Sequence, residues 1–328
     1  MKIGFTSTIP VEIILAGGAI PVDLNNLFIN SPQSGEFIRK AEEDGFPRNV
    51  CAWIKGLYSV ALYESNIDMI VAVLEGDCSN TRVLMELFQD SSIATIPFAY
   101  PTDHQLAAVR RTIRCFADRM GVSFRQIHAV KRQLDDIRRR IIELDRLTYE
   151  NNTVSGLENH LFQVNCSDFI GNPDLFAAQV DHFLEEVRHR DPFPQSVRLA
   201  YLGVPPIISG LYQACEFFGA RVVFNEIQRQ FSMPYLTRDI FLQYYHYTYP
   251  YPFFWRIKDI RLELEKRRID GVIHYVQSFC HRHIEDILIR RYINQPVLTI
   301  EGEAPGELDE RTRIRLQSFI EMLKDQTS

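Results

Sequence analysis

Apolar and polar positions along the chain fall into short strand-like and helix-like stretches that come in the same order twice. Lys2 to Phe5 reads as a strand, a helix follows that Pro10 opens near its first turn and Gly17 and Gly18 close, and Ile20 to Leu24 is a second strand. Later, Arg198 to Leu202 is strand-like, Ser209 to Phe218 has helical spacing and stops at Gly219, and Arg221 to Asn225 is again a strand. The second half of each series matches more closely. Ile67 and Asp68 lead through a strand, Met69 to Leu74, to Cys78, and Ile269 and Asp270 lead through Gly271 to Val276 to Cys280. In both copies the cysteine falls eleven positions after the isoleucine, so Cys280 stands 202 positions after Cys78. A helix-like stretch and a further strand follow each, Ile93 to Phe98 and Pro296 to Ile300. A repeated alternation of strand and helix predicts a duplicated α/β unit, each copy built on a parallel sheet.

Between the copies, Thr102 to Arg190 is nearly all helical in pattern, with Leu134, Ile137, Ile141, Leu144 and Leu147 forming one apolar stripe that packs into a core. The expected organisation is two pseudo-symmetric, open parallel-sheet units of flavodoxin-like type at 1–122 and 196–328, with a helical segment at 123–195 between them. Tyr244 to Trp255, dense in Tyr, Phe and Pro, fits no regular element and is expected to form a structured loop over the cleft.

Composition narrows the function classes. A chain of 328 residues with 46% hydrophobic and 24% charged residues is an ordinary globular protein. Its net charge of -6 and pI near 5.9 leave no basic footprint for nucleic acid. The richest basic run, Arg138, Arg139 and Arg140, sits among Asp135, Asp136, Glu143 and Asp145 and reads as a solvated helix face. The longest apolar run, Ile67 to Leu74, is strand-sized and carries Asp68, so no membrane span is expected. Glu12 interrupts the apolar stretch after Lys2, which makes a poor signal peptide. The expected location is cytoplasmic, where the six cysteines stay reduced and a clustered set is metal-binding or catalytic.

Three cysteines group together on this pattern. Ligands of open parallel sheets bind beyond the carboxyl ends of the strands, and Cys78 and Cys280 each lie four residues past such an end, in loops the pseudo-symmetry sets facing each other. Cys51 precedes a helix-like run, Trp53 to Ala61, and a helix N-terminus favours a thiolate. Position 253, the repeat-equivalent of Cys51, is Phe253, so the symmetric fourth ligand is missing. Three thiolates suit a 4Fe-4S cluster with one iron open to substrate. The rival is a structural zinc with His281 or His283 as fourth ligand, although the close Cys-x-x-Cys pairs usual for zinc are absent. Cys115 and Cys215, inside helical stretches, read as small buried hydrophobes. Cys166, in the Asn165 to Asp168 loop, stands between the two readings as a possible fourth thiolate. Ser7, Thr8 and Glu12 at the first βα turn, and Glu75 beside Cys78, are the candidates for touching a substrate; against this, Ser7 or Thr8 would cap a helix and Glu12 would be a solvated carboxylate.

Pro10-Val-Glu12 with Ala16-Gly17-Gly18 and Pro21-Val22, then Cys51, the strand ending at Cys78, Glu216 to Val223, Asp270-Gly-Val-Ile with Phe279-Cys280, and Thr312-Arg313 through Leu323 run over nearly the whole chain. In this order and spacing they resemble the D-component family of 2-hydroxyacyl-CoA dehydratases and benzoyl-CoA reductases. The resemblance implies an oxygen-sensitive 4Fe-4S cluster on Cys51, Cys78 and Cys280. It implies a lyase or low-potential reductase of anaerobic metabolism, with a homologous second subunit or a homodimer, an acyl-CoA substrate, and a separate iron-sulfur activator that hydrolyses the ATP. In dehydratase members one electron turns the thioester into a ketyl radical, which acidifies an otherwise unactivated β-proton. No G-x-x-x-x-G-K-[ST] loop is present here, in keeping with ATP being used elsewhere. Two departures leave the substrate open: Asp77 precedes Cys78 where the family commonly has an acid after the cysteine, and the chain starts almost at its first strand, without the helical extension of the catalytic dehydratase subunits. A double-cubane-type reductase of small molecules, and a non-catalytic cluster-binding partner of a paralogous subunit, are therefore the alternatives.

Overall fold

The computed structural model describes every residue except Ser65, Gln195 and Ser328. The first sheet takes β1 (Lys2–Phe5), β2 (Ile20–Asp23), β3 (Met69–Glu75) and β4 (Ala94–Ala99). The second half contributes β5 (Val197–Leu202), the two-residue β6 (Ile208–Ser209), β7 (Ala220–Asn225), β8 (Gly271–Gln277), β9 (Val297–Gly302) and the two-residue β10 (Gly306–Glu307). The sheets have the orders β2-β1-β3-β4 and β7-β5-β8-β9, parallel throughout. This is one topology used twice: a central pair, β1 with β3 or β5 with β8, and an outer strand on each side. In both, the two cysteine-bearing loops follow the inner strand that comes third in the order. The flavodoxin-like reading therefore holds in both copies.

The strands form where the sequence is β-branched and apolar, and β3 and β8 are buried along most of their length because helices cover both faces. Between the copies, helices at Leu106–Arg119, Phe124–Arg146, Gly156–Val164 and Pro173–Arg188 carry the helical segment. Ser123 and Ser155 each close a reciprocal capping box with the Gln126 and Glu158 side chains, which fixes where two of these helices begin. The Leu134 to Leu147 stripe is buried against Ile13, Ile14 and the outer face of β1. A second cluster joins Leu24, Phe28, Leu57 and Ile70 of the first unit to Leu199, Tyr201 and Ile273 of the second. The two sheets thus share a core. The expected boundary near 122 falls between two helices, and the one near 195 falls on Gln195, outside the described residues.

Two expectations are corrected. Arg138 is 1% exposed, not a solvated member of the Arg138 to Arg140 run; its guanidinium donates to Glu12 Oε1 at 2.7 Å and Asp135 Oδ1 at 3.2 Å. Arg139 is exposed as expected, and Arg140 is half-buried. The Tyr244 to Trp255 stretch is regular at both ends, in helices Ile240–His246 and Phe253–Lys266, and only Tyr247 to Pro252 form a loop. Its rings are stacked into place: His104 lies 4.2 Å from the Tyr245 ring and 4.0 Å from that of Tyr251. Ring packing of this kind orders a segment that its prolines exclude from regular structure.

Candidate functional site

The carboxyl ends of both sheets open on one cavity of about 540 Å³, walled by the first unit, the helical segment and the second unit. Cys51, Cys78 and Cys280 all line it. Cys51 is the residue before helix Ala52–Ser59, Cys78 lies three positions before the start of helix Thr81–Asp90, and Cys280 precedes the helical turn His281–Glu285. Each thiol is consequently offered a backbone N–H two residues on, from Trp53, Asn80 and Arg282 respectively. Burial still dominates: it pushes the Cys51 thiol up to about 11 and the Cys78 thiol up to about 12, and it raises Cys280. The thiolate expected at Cys51 is therefore not favoured by the protein alone, since losing water outweighs a helix end worth ~1 kcal/mol. The neighbouring thiols add to the cost, Cys280 acting on Cys51, and both acting on Cys78.

The other cysteines lie elsewhere. Cys115 is exposed on helix 106–119, against the expectation that it is buried, whereas Cys215 is fully buried in helix 211–217 as expected, and the buried Cys166 Sγ donates to the Phe162 carbonyl at 3.4 Å. None of them lines the cavity, so Cys166 is not placed to supply a fourth thiolate. Phe253 opens its helix much as Cys51 does, but packs with Leu202, Val223 and Ile257. His281 lines the cavity and His283 does not. Among the described residues, no three His, Cys, Asp or Glu side chains converge on the position of a single ion.

Of the four proposed substrate residues, Ser7 and Thr8 line the cavity, and Glu12 and Glu75 do not. Neither Ser7 nor Thr8 caps a helix: the residue before helix Val11–Ala16 is Pro10, with no side-chain cap. Glu12 is not a solvated carboxylate. It is fully buried, accepting from Arg138, from Gln243 at 3.0 Å and from the Tyr244 hydroxyl at 2.8 Å. Burial alone would raise its carboxyl, but the charge and hydrogen bond of Arg138 hold it below the usual range. Glu75 pairs with Arg82 at the surface.

Residues that the pattern did not single out complete the wall. Asp77 accepts from the Tyr249 hydroxyl at 2.8 Å, and the Arg282 guanidinium donates to the Tyr249 carbonyl at 3.0 Å and sits 5.0 Å from its ring centre. These three bridge the loops of Cys78 and Cys280. Gly76 makes the approach of loop 247–252 possible: its φ is +92°, and a Cβ there would meet Pro250 Cβ at 2.7 Å and Tyr100 Cβ at 2.9 Å. Asp23 and Asp168 form a buried pair beside the cavity, Asp23 N–H donating to Asp168 Oδ2 at 2.9 Å; burial and the charge of Asp23 bring Asp168 to about 7. His160 is held to about 3 by burial. The Tyr212 hydroxyl donates to Asn225 Oδ1 at 2.8 Å, so it must accept from His160 Nδ1–H at 2.9 Å, which leaves Nε2 as the acceptor. The signal for Asp77 and Arg282 was their place one and two residues from the predicted cysteines; His160 and Tyr212 carry none, because only the tertiary fold brings them in.

A family model described as 2-hydroxyglutaryl-CoA dehydratase, D-component, matches residues 6–323 of the chain. The chain belongs to this family. No curated protein matches it. As a D-component-like chain it is a 2-hydroxyacyl-CoA dehydratase-type subunit, a component of a larger enzyme of the lyase type. Among the described residues, no helix is long and apolar enough to cross a membrane.

Proposed function

We propose that the chain is the iron-sulfur subunit of a 2-hydroxyacyl-CoA dehydratase or benzoyl-CoA reductase-like enzyme, with a 4Fe-4S cluster held by Cys51, Cys78 and Cys280. The observation that supports this best is that three cysteines, far apart in sequence, come to one cavity at the carboxyl ends of two sheets while the other three stay away. Three N–H donors aimed at three sulfurs suit anionic ligands, and such bonds tune a cluster's potential. When bound, a cluster of this kind supplies a low-potential electron and an open iron for a substrate oxygen.

The chain's own residues do the rest. Asp77, Tyr249 and Arg282 tie together the loops that carry two of the ligands, so the sulfurs keep their relative positions. Ser7 and Thr8 offer hydroxyls to a molecule in the cavity, and the apolar part of the lining lowers the polarity around it. A separate activator that hydrolyses ATP, together with a homologous second subunit or a second copy, completes the enzyme. We place the complex in the cytoplasm, and we retain 1–122, 123–195 and 196–328 as its division into units. The departure at Asp77 keeps the small-molecule reductase and the non-catalytic partner as second readings. Anaerobic purification tests the proposal: brown protein with about four irons per chain is expected, and colourless protein with one zinc per chain contradicts it.

A further inference from the structure

The cavity's charge bears on which acyl group it accepts. Its lining brings three carboxyl side chains, Asp23, Asp77 and Glu307, against one side-chain cation, Arg282. Arg282 is already engaged, donating to Glu285 Oε1 at 3.2 Å and to the Tyr249 carbonyl at 3.0 Å. His160, which also lines the cavity, adds no charge at neutral pH, since burial lowers it to about 3. The same lining carries an apolar part from two helices, with Trp53, Ile54 and Leu57 on one and Leu157, Leu161 and Val164 on the other.

Among the described lining residues, an anionic group in such a space finds no unengaged cation, and a buried charge without a partner is costly. We infer that this chain takes thioesters whose acyl group is uncharged and apolar at its far end, and that it rejects acyl groups ending in a carboxylate, including the glutaryl type in the family's name. The inference rests on the acyl-thioester reading above and deepens it. His160 Nε2 and the Asp23 carboxyl provide acceptors for the hydroxyls and amides of a neutral thioester arm.

The test is anaerobic calorimetry on the full chain with two isosteric probes that lack the phosphates of CoA: 5-methylhexanoyl-pantetheine and glutaryl-pantetheine. The isopropyl-ended probe is expected to bind about 100-fold more tightly, because the glutaryl carboxylate enters unpaired. Leu161, which lines the cavity and is 43% exposed, accepts a charged residue without loss of core packing. Leu161→Arg should narrow the preference to about tenfold or less by supplying the missing cation. Equal or tighter binding of the glutaryl probe by the native chain overturns the inference, as does failure of both probes to bind. Iron content of the same samples separates the two claims: a chain without iron that still prefers the isopropyl probe sinks the cluster and leaves the charge inference standing, and a chain with iron that prefers glutaryl does the reverse.

Discussion

Glu12→Gln is the substitution whose outcome the structure determines most closely. Glu12 and Arg138 are 0% and 1% exposed and 2.7 Å apart, so the variant leaves a buried guanidinium with Asp135 alone, 3.2 Å away, to answer its charge. Removing one partner of a buried ion pair costs roughly 3–5 kcal/mol, and the surviving Asp135 contact puts this case near the lower figure, about 3 kcal/mol. Glutamine keeps one acceptor oxygen, which can stay with Gln243 and Arg138, while its amide N–H faces the Tyr244 hydroxyl, which can accept from it and donate to the Ile9 carbonyl instead, so the loss is one of charge and not of shape. Adding Arg138→Met should recover most of the stability, giving a coupling of about 2 kcal/mol between the sites. The assay is urea unfolding at pH 7 of both single variants and the double variant, with iron per chain measured alongside. The folded Glu12 carboxyl lies below its ordinary value of 4.5, so the pair's contribution is complete above that pH and is lost as pH falls through the lower folded value. The Gln variant should lack this acid-side loss. Stability unchanged within about 1 kcal/mol, or iron lost at unchanged stability, would refute the structural role and return Glu12 to the site.

Gly76→Ala should cost about 2–3 kcal/mol and lower iron content, since the added Cβ meets Pro250 and Tyr100 in a left-handed backbone on the Cys78 loop; thermal unfolding and iron analysis check both. Asp168 is raised from 3.8 to about 7, so the proton it holds stabilises the fold fully below 3.8 and ever less as pH rises toward 7. Wild-type stability should carry one proton's slope in that window, about 1.4 kcal/mol per pH unit, and Asp168→Asn should flatten it, as read by denaturant midpoints from pH 4 to 7.

The duplicated topology was legible because parallel strands buried on both faces are written as short β-branched runs, and the eleven-residue spacing to each cysteine marks equivalent loops. The site was legible to the same depth, as three loop ends. Arg138 was misread although its position was informative: it lies four after Leu134 and three before Ile141, on the same helical face as the buried stripe. Local charge pattern pointed to solvent, and the partner that reverses this, Glu12, is 126 positions away. Tyr244 to Trp255 was misread because Pro250 and Pro252 break a segment whose ends are helical by virtue of packing against His104 and the first unit. His160 and Tyr212 meet across 52 residues at the far end of the cavity, a contact that no spacing encodes.

The central claim, that Cys51, Cys78 and Cys280 hold one cluster, is tested most directly by iron and acid-labile sulfide per chain across all six Cys→Ser variants prepared anaerobically. Loss of any one ligand should deplete the whole cluster, because its assembly is cooperative and an alkoxide is a poor substitute for thiolate. The account predicts loss of iron in the Cys51, Cys78 and Cys280 variants and full iron in those of Cys115, Cys166 and Cys215. Retention of iron in the Cys51 variant, or its loss in that of Cys166, would contradict it.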